Sequence, residues 1–317
     1  MFVVLGEALL DMVQPEPGTT YVARPGGGPF NIAVGLRRLG HPTALMARLS
    51  TGALGAVVRD HATANDLDLS ACVETSDQTT LAFASLDEAG RASYDFYVVG
   101  TADWGWTPDE LLRLPADTRV VHTGSLATAL APGADAVLDR MERLHGSGGC
   151  LISFDPNVRP ALAGPRDGAV RRVERFVTAS HVVKASDEDL GWLYPGVDPL
   201  EVARQWAAHG PRLVVVTRGA EGCLAVRRMG SVLERPSLSV AVVDTIGAGD
   251  SFESGLLSGL ADVSAFDPEA VSALSDEAVV GVLDRAVLTS AMTCGRPGAD
   301  PPTRAELDAR LAGGRPG

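Results

Sequence analysis

Short apolar runs rich in valine alternate with amphipathic stretches along most of this chain, and that rhythm restricts the fold more than any other feature. Val120-Val-His-Thr-Gly124 precedes a helix-like segment over 134–144. Cys150-Leu-Ile-Ser-Phe-Asp155 precedes another over 169–177, and His181-Val-Val-Lys184 leads into a third at 187–193. Arg212-Leu-Val-Val-Val-Thr217 carries a continuous apolar run over 213–216, as expected of a strand covered on both faces. Met1-Phe-Val-Val-Leu-Gly6 reads as the first strand. The pattern predicts an α/β fold: a central, mostly parallel sheet with helices on both faces and ligands bound at the carboxyl ends of its strands. At 317 residues and 45% hydrophobic content, one such core with a small appendage accounts for the length.

Charge narrows the function classes. Arg and Lys total 27 against 40 Asp and Glu, a net charge of −13. Nucleic acid is therefore not an expected partner, because a phosphate backbone needs clustered cations. A nucleotide remains open, since backbone N–H groups can hold its phosphates. The chain has a single lysine, Lys184, in Val182-Val-Lys-Ala-Ser-Asp187, which fits neither a P-loop nor the strand lysine of a protein kinase. The four cysteines are widely spaced and read as reduced thiols of a cytoplasmic protein. The N-terminus lacks the basic region and cleavage site of a signal peptide, and no apolar run reaches the roughly 20 residues of a membrane span.

Two regions break the rhythm. Segment 12–24 is rich in Pro, Gly and Thr, and segments 80–86 and 91–98 are strand-like, joined by a predicted hairpin turn at Asp87-Glu-Ala-Gly90. They form either a small projecting sheet or an ordinary edge hairpin. The tail at 313–317 is expected to fray.

The most informative segment is Val242-Val-Asp-Thr-Ile-Gly-Ala-Gly-Asp-Ser-Phe-Glu-Ser-Gly255. A predicted strand over 239–243 enters a Gly-Ala-Gly turn, and a helix with Phe252, Leu256, Leu257 and Leu260 on one face leaves it. The N–H groups of Gly247, Ala248 and Gly249 lack partners within such a helix, and the dipole there favours a phosphoryl group. Asp250 falls in the first turn, where the same field is expected to keep its carboxylate ionised and able to accept a proton. Read alone, the segment is equally an Asp-capped helix after a tight turn. A second glycine-rich segment, Pro25-Gly-Gly-Gly-Pro-Phe-Asn31, opens a helix that stops at Gly40. Gly27 and Gly28 let backbone approach a small ligand, and Asn31 offers a donor and an acceptor to sugar hydroxyls.

Asp244-Thr-Ile-Gly-Ala-Gly-Asp250 resembles the C-terminal signature of ribokinase-type (PfkB) sugar kinases, and Gly-Gly-x-x-x-Asn near the N-terminus resembles the other. The resemblance implies a ribokinase-like core over 1–11, 26–79 and 106–317, with a small β lid from 12–25 and 80–105. It also implies ATP-dependent phosphorylation of a sugar hydroxyl. Asp250 would be the base, the Gly247, Ala248 and Gly249 amides the anion hole, and Asp244 a neighbour of a monovalent cation such as K⁺. Asp11, Gly27, Gly28 and Asn31 would hold the sugar under a lid face carrying Tyr94 and Phe96. Phe154-Asp-Pro-Asn-Val-Arg-Pro160 resembles a loop of fructokinase-like members and makes Arg159 a contact for sugar or phosphate. Arg159 would equally suit an acidic sugar such as 2-keto-3-deoxygluconate. Lys184, Ser186, Thr217, Gly219 and Gly222 would line the nucleotide side, with Lys184 either neutralising phosphates or snorkelling from a strand end. Asp189 stands where the family has a glutamate that orients the water shell of Mg²⁺. Ser186 and Asp189 both depart from the Asn-x-x-Glu of the family. The lid also implies a possible homodimer.

Overall fold

The computed structural model describes residues 1–14, 18–86, 92–228 and 230–312. The predicted hairpin turn at 87–90 and the tail at 313–317 lie outside them. In chain order the elements are β1 (Phe2–Leu5), β2 (Leu9–Val13), β3 (Val22–Gly26), α1 (Gly28–Arg38), β4 (Thr43–Met46), β5 (Arg48–Ser50), α2 (Ala53–Ala64) and β6 (Val73–Thr75). There follow β7 (Leu81–Leu86), β8 (Ala92–Tyr97), β9 (Val120–Gly124), α3 (Gly133–Ser147), β10 (Leu151–Asp155), α4 (Arg166–Thr178), β11 (Val182–Ser186) and α5 (Asp187–Leu193). The last third holds α6 (Pro199–His209), β12 (Leu213–Thr217), β13 (Cys223–Arg227), β14 (Val232–Arg235), α7 (Ala248–Asp262), α8 (Pro268–Ala273), α9 (Asp276–Cys294) and α10 (Arg304–Ala312).

The main sheet has the order β14-β13-β12-β11-β10-β9-β1-β4. Its strands are parallel from β4 to β12, and β13 and β14 are antiparallel at one edge. Both faces are buried because successive side chains point to opposite sides. Phe2 and Val4 enter one core with Ile32, Phe252, Leu256 and Leu283, whereas Val3 and Leu5 enter the other with Phe154, Phe176, Leu190 and Trp206. Fully burying one such large side chain contributes about 1.5–3 kcal/mol, so the two cores fix the register of every central strand. The continuous run at 213–216 lies in the central β12, as its unbroken apolarity requires.

A second sheet of order β3-β2-β7-β8 stands apart from the first. Its backbone register places Asp11 opposite Arg24 on β3 and opposite Ala82 on β7, and Ala82 opposite Phe96 on β8. Asp11, Arg24 and Phe96 therefore share a face. The other face carries a ring cluster in which Phe83 packs edge-on against Tyr21 and Tyr97.

One predicted strand is absent. Segment 239–243 has no strand partner: Val242 and Val243 are exposed, and the N–H groups of Val243 and Asp244 donate to the Cys294 carbonyl at the end of α9. Valine-rich composition favours a strand, but the N–H groups of this segment are taken by the end of α9 and not by the edge strand β14.

Candidate active site

The carboxyl ends of the parallel strands and the N-terminus of α7 meet at one cleft. Gly247 caps α7 with φ +72°, a left-handed conformation that glycine adopts at little cost. The N–H groups of Gly247, Gly249 and Asp250 have no hydrogen-bond partner among the described residues. Ala248 differs from expectation, because its N–H donates to the Thr245 carbonyl at 3.2 Å within the turn. The unpartnered amides are thus those flanking Ala248, together with that of Asp250.

Asp250 Oδ2 accepts a hydrogen bond from Asn31 Nδ2 at 2.8 Å. Asn31 lies in the first turn of α1, whose N-cap Gly27 has φ +106°. A Cβ placed on Gly28 would lie 2.9 Å from Asn157 Nδ2 and 3.4 Å from both Asp250 Oδ1 and Ser125 Cβ. The two glycine-rich segments, the loop after β9 and the loop after β10 therefore converge on one point. Burial raises the pKa of Asp250, opposed by the Asn31 hydrogen bond and the positive charges of Lys184 and Arg159. The helix field alone was expected to keep this carboxylate ionised; in the fold desolvation outweighs it and raises its proton affinity, which suits a base that takes a hydroxyl proton.

Asp11 projects from β2 against Gly26. Burial and the neighbouring Asp250 charge push its pKa up to about 6, with Arg159 pulling the other way. Arg159 Nη1 donates to the Asn157 side chain at 2.7 Å and to the carbonyls of Asn157 and Val158, both at 3.3 Å. Asn157 itself has φ +37° and Ser125 φ +54°, uncommon for residues with side chains. Such strain gathers where surrounding structure holds a functional geometry.

The single lysine is the floor of the site. Lys184 Nζ pairs with Asp155 Oδ2 at 2.8 Å, with side chains only 4% and 2% exposed. Burial alone would lower its pKa, but the Asp155 charge holds it above the ordinary lysine range. A Cβ on Gly249 would lie 3.2 Å from this ammonium, so Lys184 sits directly behind the turn that opens α7 and does not snorkel to solvent.

Ser186 and Asp189 form a reciprocal cap on α5. Asp189 N donates to Ser186 Oγ, and Asp189 Oδ2 accepts from Ser186 N and Oγ, at 3.0, 3.0 and 2.7 Å. Asp189 Oδ1 accepts from Val158 N at 2.7 Å, which ties this cap to the loop carrying Arg159. Both oxygens are thus committed, and no group of three His, Cys, Asp or Glu among the described residues is placed to hold a metal ion. These residues offer no direct ligand set for Mg²⁺ among the described residues, and Asp189 would reach one only through water. Thr217 ends β12, and Gly219 and Gly222, with φ +51° and +91°, shape the turn beyond it. Asp244 accepts from Ile246 N at 3.0 Å and Gly298 N at 2.8 Å, joining the α7 turn to the loop after α9.

Sequence reasoning passed over several residues around this point. The sequence pattern assigns no role to Asn157, Ser125 or Glu7. Glu7 is buried behind Gly27 and accepts from Ala127 N at 3.1 Å. Glu253, one turn along α7 from Asp250, accepts from Ser153 Oγ at 2.6 Å and lies 3.4 Å from His122 Nδ1. A charged residue on the apolar face of α7 was the available signal. Asp103, 1% exposed, accepts from Ala8 N at 2.9 Å where the chain passes between the two sheets. Burial pushes its pKa up to about 7. The folded pKa exceeds the unfolded value, so the contribution of Asp103 to stability is full below about pH 4 and lost as pH rises through about 7. Asp103→Asn should therefore gain stability relative to the parent as pH is raised across that window, read from urea midpoints at several pH values. A constant difference would count against a protonated Asp103.

The pfkB family carbohydrate kinase profile matches residues 1–306. The chain belongs to the PfkB family of carbohydrate kinases. It is similar to a fructokinase of Rhizobium leguminosarum bv. trifolii, 35% identical over 283 residues that cover 88% of this chain and 85% of that one. Among solved structures it resembles a fructokinase from Xylella fastidiosa with bound ATP, at 29% identity and TM-score 0.88 over 97% of each chain. It also resembles a double-mutant fructokinase from Vibrio cholerae O395 bound to fructose, ADP and potassium ion, at 27% identity and TM-score 0.84 over 97% of each chain. This PfkB protein is accordingly an ATP-dependent, fructokinase-like sugar kinase with the ribokinase-like fold. No helix among the described residues is long and apolar enough to cross a membrane.

Proposed function

We propose that this kinase transfers the γ-phosphoryl group of ATP to a primary hydroxyl of fructose, with Asp250 as the base. The observation that carries the reading is the Asp250 carboxylate, held by Asn31 at 2.8 Å beside the unpartnered amides at the start of α7. The sugar hydroxyl gives its proton to Asp250 as its oxygen bonds to the γ-phosphorus. The bond from that phosphorus to the β,γ-bridging oxygen breaks, and ADP leaves. Such transfer depends mainly on positioning and on stabilising charge over the phosphoryl oxygens. The Gly247, Gly249 and Asp250 amides and the Lys184 charge behind them supply that stabilisation. Mg²⁺ arrives on the phosphates of ATP as part of the substrate.

Asp11, Asn31, the Gly27–Gly28 backbone and Asn157 would bind the sugar, and Phe96 would cover it from the small sheet acting as a lid. Its strands are β2, β3, β7 and β8, so this sheet takes in Leu9–Asp11 and Gly26 beyond the expected segments 12–25 and 80–105. Excluding water there would protect the phosphoryl group from hydrolysis. The turn at Thr217, Gly219 and Gly222 would border the nucleotide. Asp244, bonded to both walls of its loop, supports a K⁺ site nearby. The four cysteines are all free, which fits a reducing, cytoplasmic compartment. The outer lid face, with Tyr97 62% exposed beside Phe83, supports self-association through the lid, and a one-chain mass in sedimentation would remove that part.

One observation favours a second acceptor. Arg159 hydrogen-bonds only neutral oxygens of its own loop, and Asp11 and Asp250, which feel its charge, make no ion pair with it among the described residues. A sugar acid such as 2-keto-3-deoxygluconate would match it. The deciding experiment measures ADP release with fructose, ketodeoxygluconate, ribose and adenosine, and identifies each product by phosphorus NMR. Fructose should give the highest kcat/KM. A clear preference for ketodeoxygluconate would replace fructose while leaving the phosphoryl chemistry intact.

A further inference from the structure

We propose that Arg24, on the cleft-facing side of the small sheet, contacts the nucleotide phosphates and completes the anion site from across the cleft. The backbone register puts Arg24 on the face that also carries Asp11 and Phe96. Its side chain is exposed and makes no hydrogen bond or ion pair among the described residues. It nevertheless reaches from the small sheet to the loop after α9, because a Cβ on Gly298 would lie 2.7 Å from Arg24 Nη1. Gly298 donates its N–H to Asp244 Oδ2, and the next residue, Ala299, packs on Gly247 at the cap of α7. The guanidinium thus rests on the loop that backs the unpartnered amides.

Charge supplies the second half of the argument. Asp11, Asp244 and Asp250 all border the cleft, and ATP adds several negative charges. Lys184 is committed to Asp155, and Arg159 is fastened by its own loop. Arg24 has neither restraint. A guanidinium offers parallel N–H donors that match two phosphate oxygens at once, a geometry an ammonium lacks. Movement of the small sheet toward the core would carry this cation onto the phosphates and link closure to nucleotide binding. The inference rests on the reading that those phosphates lie at the start of α7.

The test compares the full chain with Arg24→Ala and Arg24→Lys. For Arg24→Ala, kcat/KM for MgATP should fall by about 10- to 100-fold, the loss of one or two charge-assisted hydrogen bonds. ADP should bind more weakly by calorimetry, while adenosine affinity and the melting temperature of the free protein stay unchanged. Arg24→Lys should recover only part of the loss. Unaltered MgATP and ADP parameters in Arg24→Ala would overturn the inference. So would a defect confined to fructose KM or to melting temperature, which would make Arg24 a strut of the small sheet. Failure of the underlying reading looks different: the parent protein itself would then bind adenosine and ADP equally, with no gain from phosphate.

Discussion

Replacing Asp250 with asparagine should slow phosphoryl transfer by about 10²- to 10⁴-fold, the usual contribution of a positioned general base. The variant keeps the size and hydrogen-bonding shape of the side chain, so its contact with Asn31 need not be lost. Affinities for ATP and fructose should stay near those of the parent protein, because Asp250 acts on the proton in flight and not on the ground state. Single-turnover kinetics at saturating MgATP and sugar separate these effects. Transfer at the parent rate would remove Asp250 as the base and, with it, the mechanism. Loss of sugar binding with normal transfer at high sugar concentration would instead make Asp250 a binding residue.

The second large effect concerns stability. Lys184→Met should destabilise the protein by about 3–5 kcal/mol, the usual cost of leaving one member of a buried ion pair without its partner. Asp155 would then be buried beside Asp189 and Glu253 with no neutralising charge. The pair is almost wholly inaccessible, so solvent screening does little to soften this loss. The double variant Lys184→Met with Asp155→Leu should recover much of the stability, because a buried pair is often replaceable by apolar groups of similar volume. It should not recover turnover, since the ammonium behind Gly249 would still be absent. Urea unfolding and steady-state kinetics on the three proteins check both statements. If the single variant unfolds at the parent midpoint, the ion pair contributes nothing to the fold.

The elements of the core were legible because local pattern and global environment agree. The run at 213–216 is apolar throughout and lies in a central strand with both faces covered. Phe252, Leu256, Leu257 and Leu260 recur at helical spacing and are all buried on α7. The valines at 242 and 243 behave differently. Their propensity says strand, yet a strand needs a neighbour to take its hydrogen bonds, and the sheet supplies none at that place.

The amino-acid order by itself determined the α/β alternation, the two glycine-rich turns and the side chains that chemistry would need, above all Asp250 and Asn31. The first two follow from contacts between residues close in sequence, helix periodicity and turn geometry; Asp250 and Asn31 stood out through the resemblance of their segments to the PfkB signatures. Only the tertiary structure decided which amides remain free, that Lys184 would be spent on Asp155, and that the carboxyl groups of Asp11, Asp103 and Asp250 would hold their protons more tightly than in water. Hydrogen-bond choice and desolvation depend on atoms brought in from distant parts of the chain. Asn31 and Asp250 are 219 residues apart, and folding alone makes them a pair.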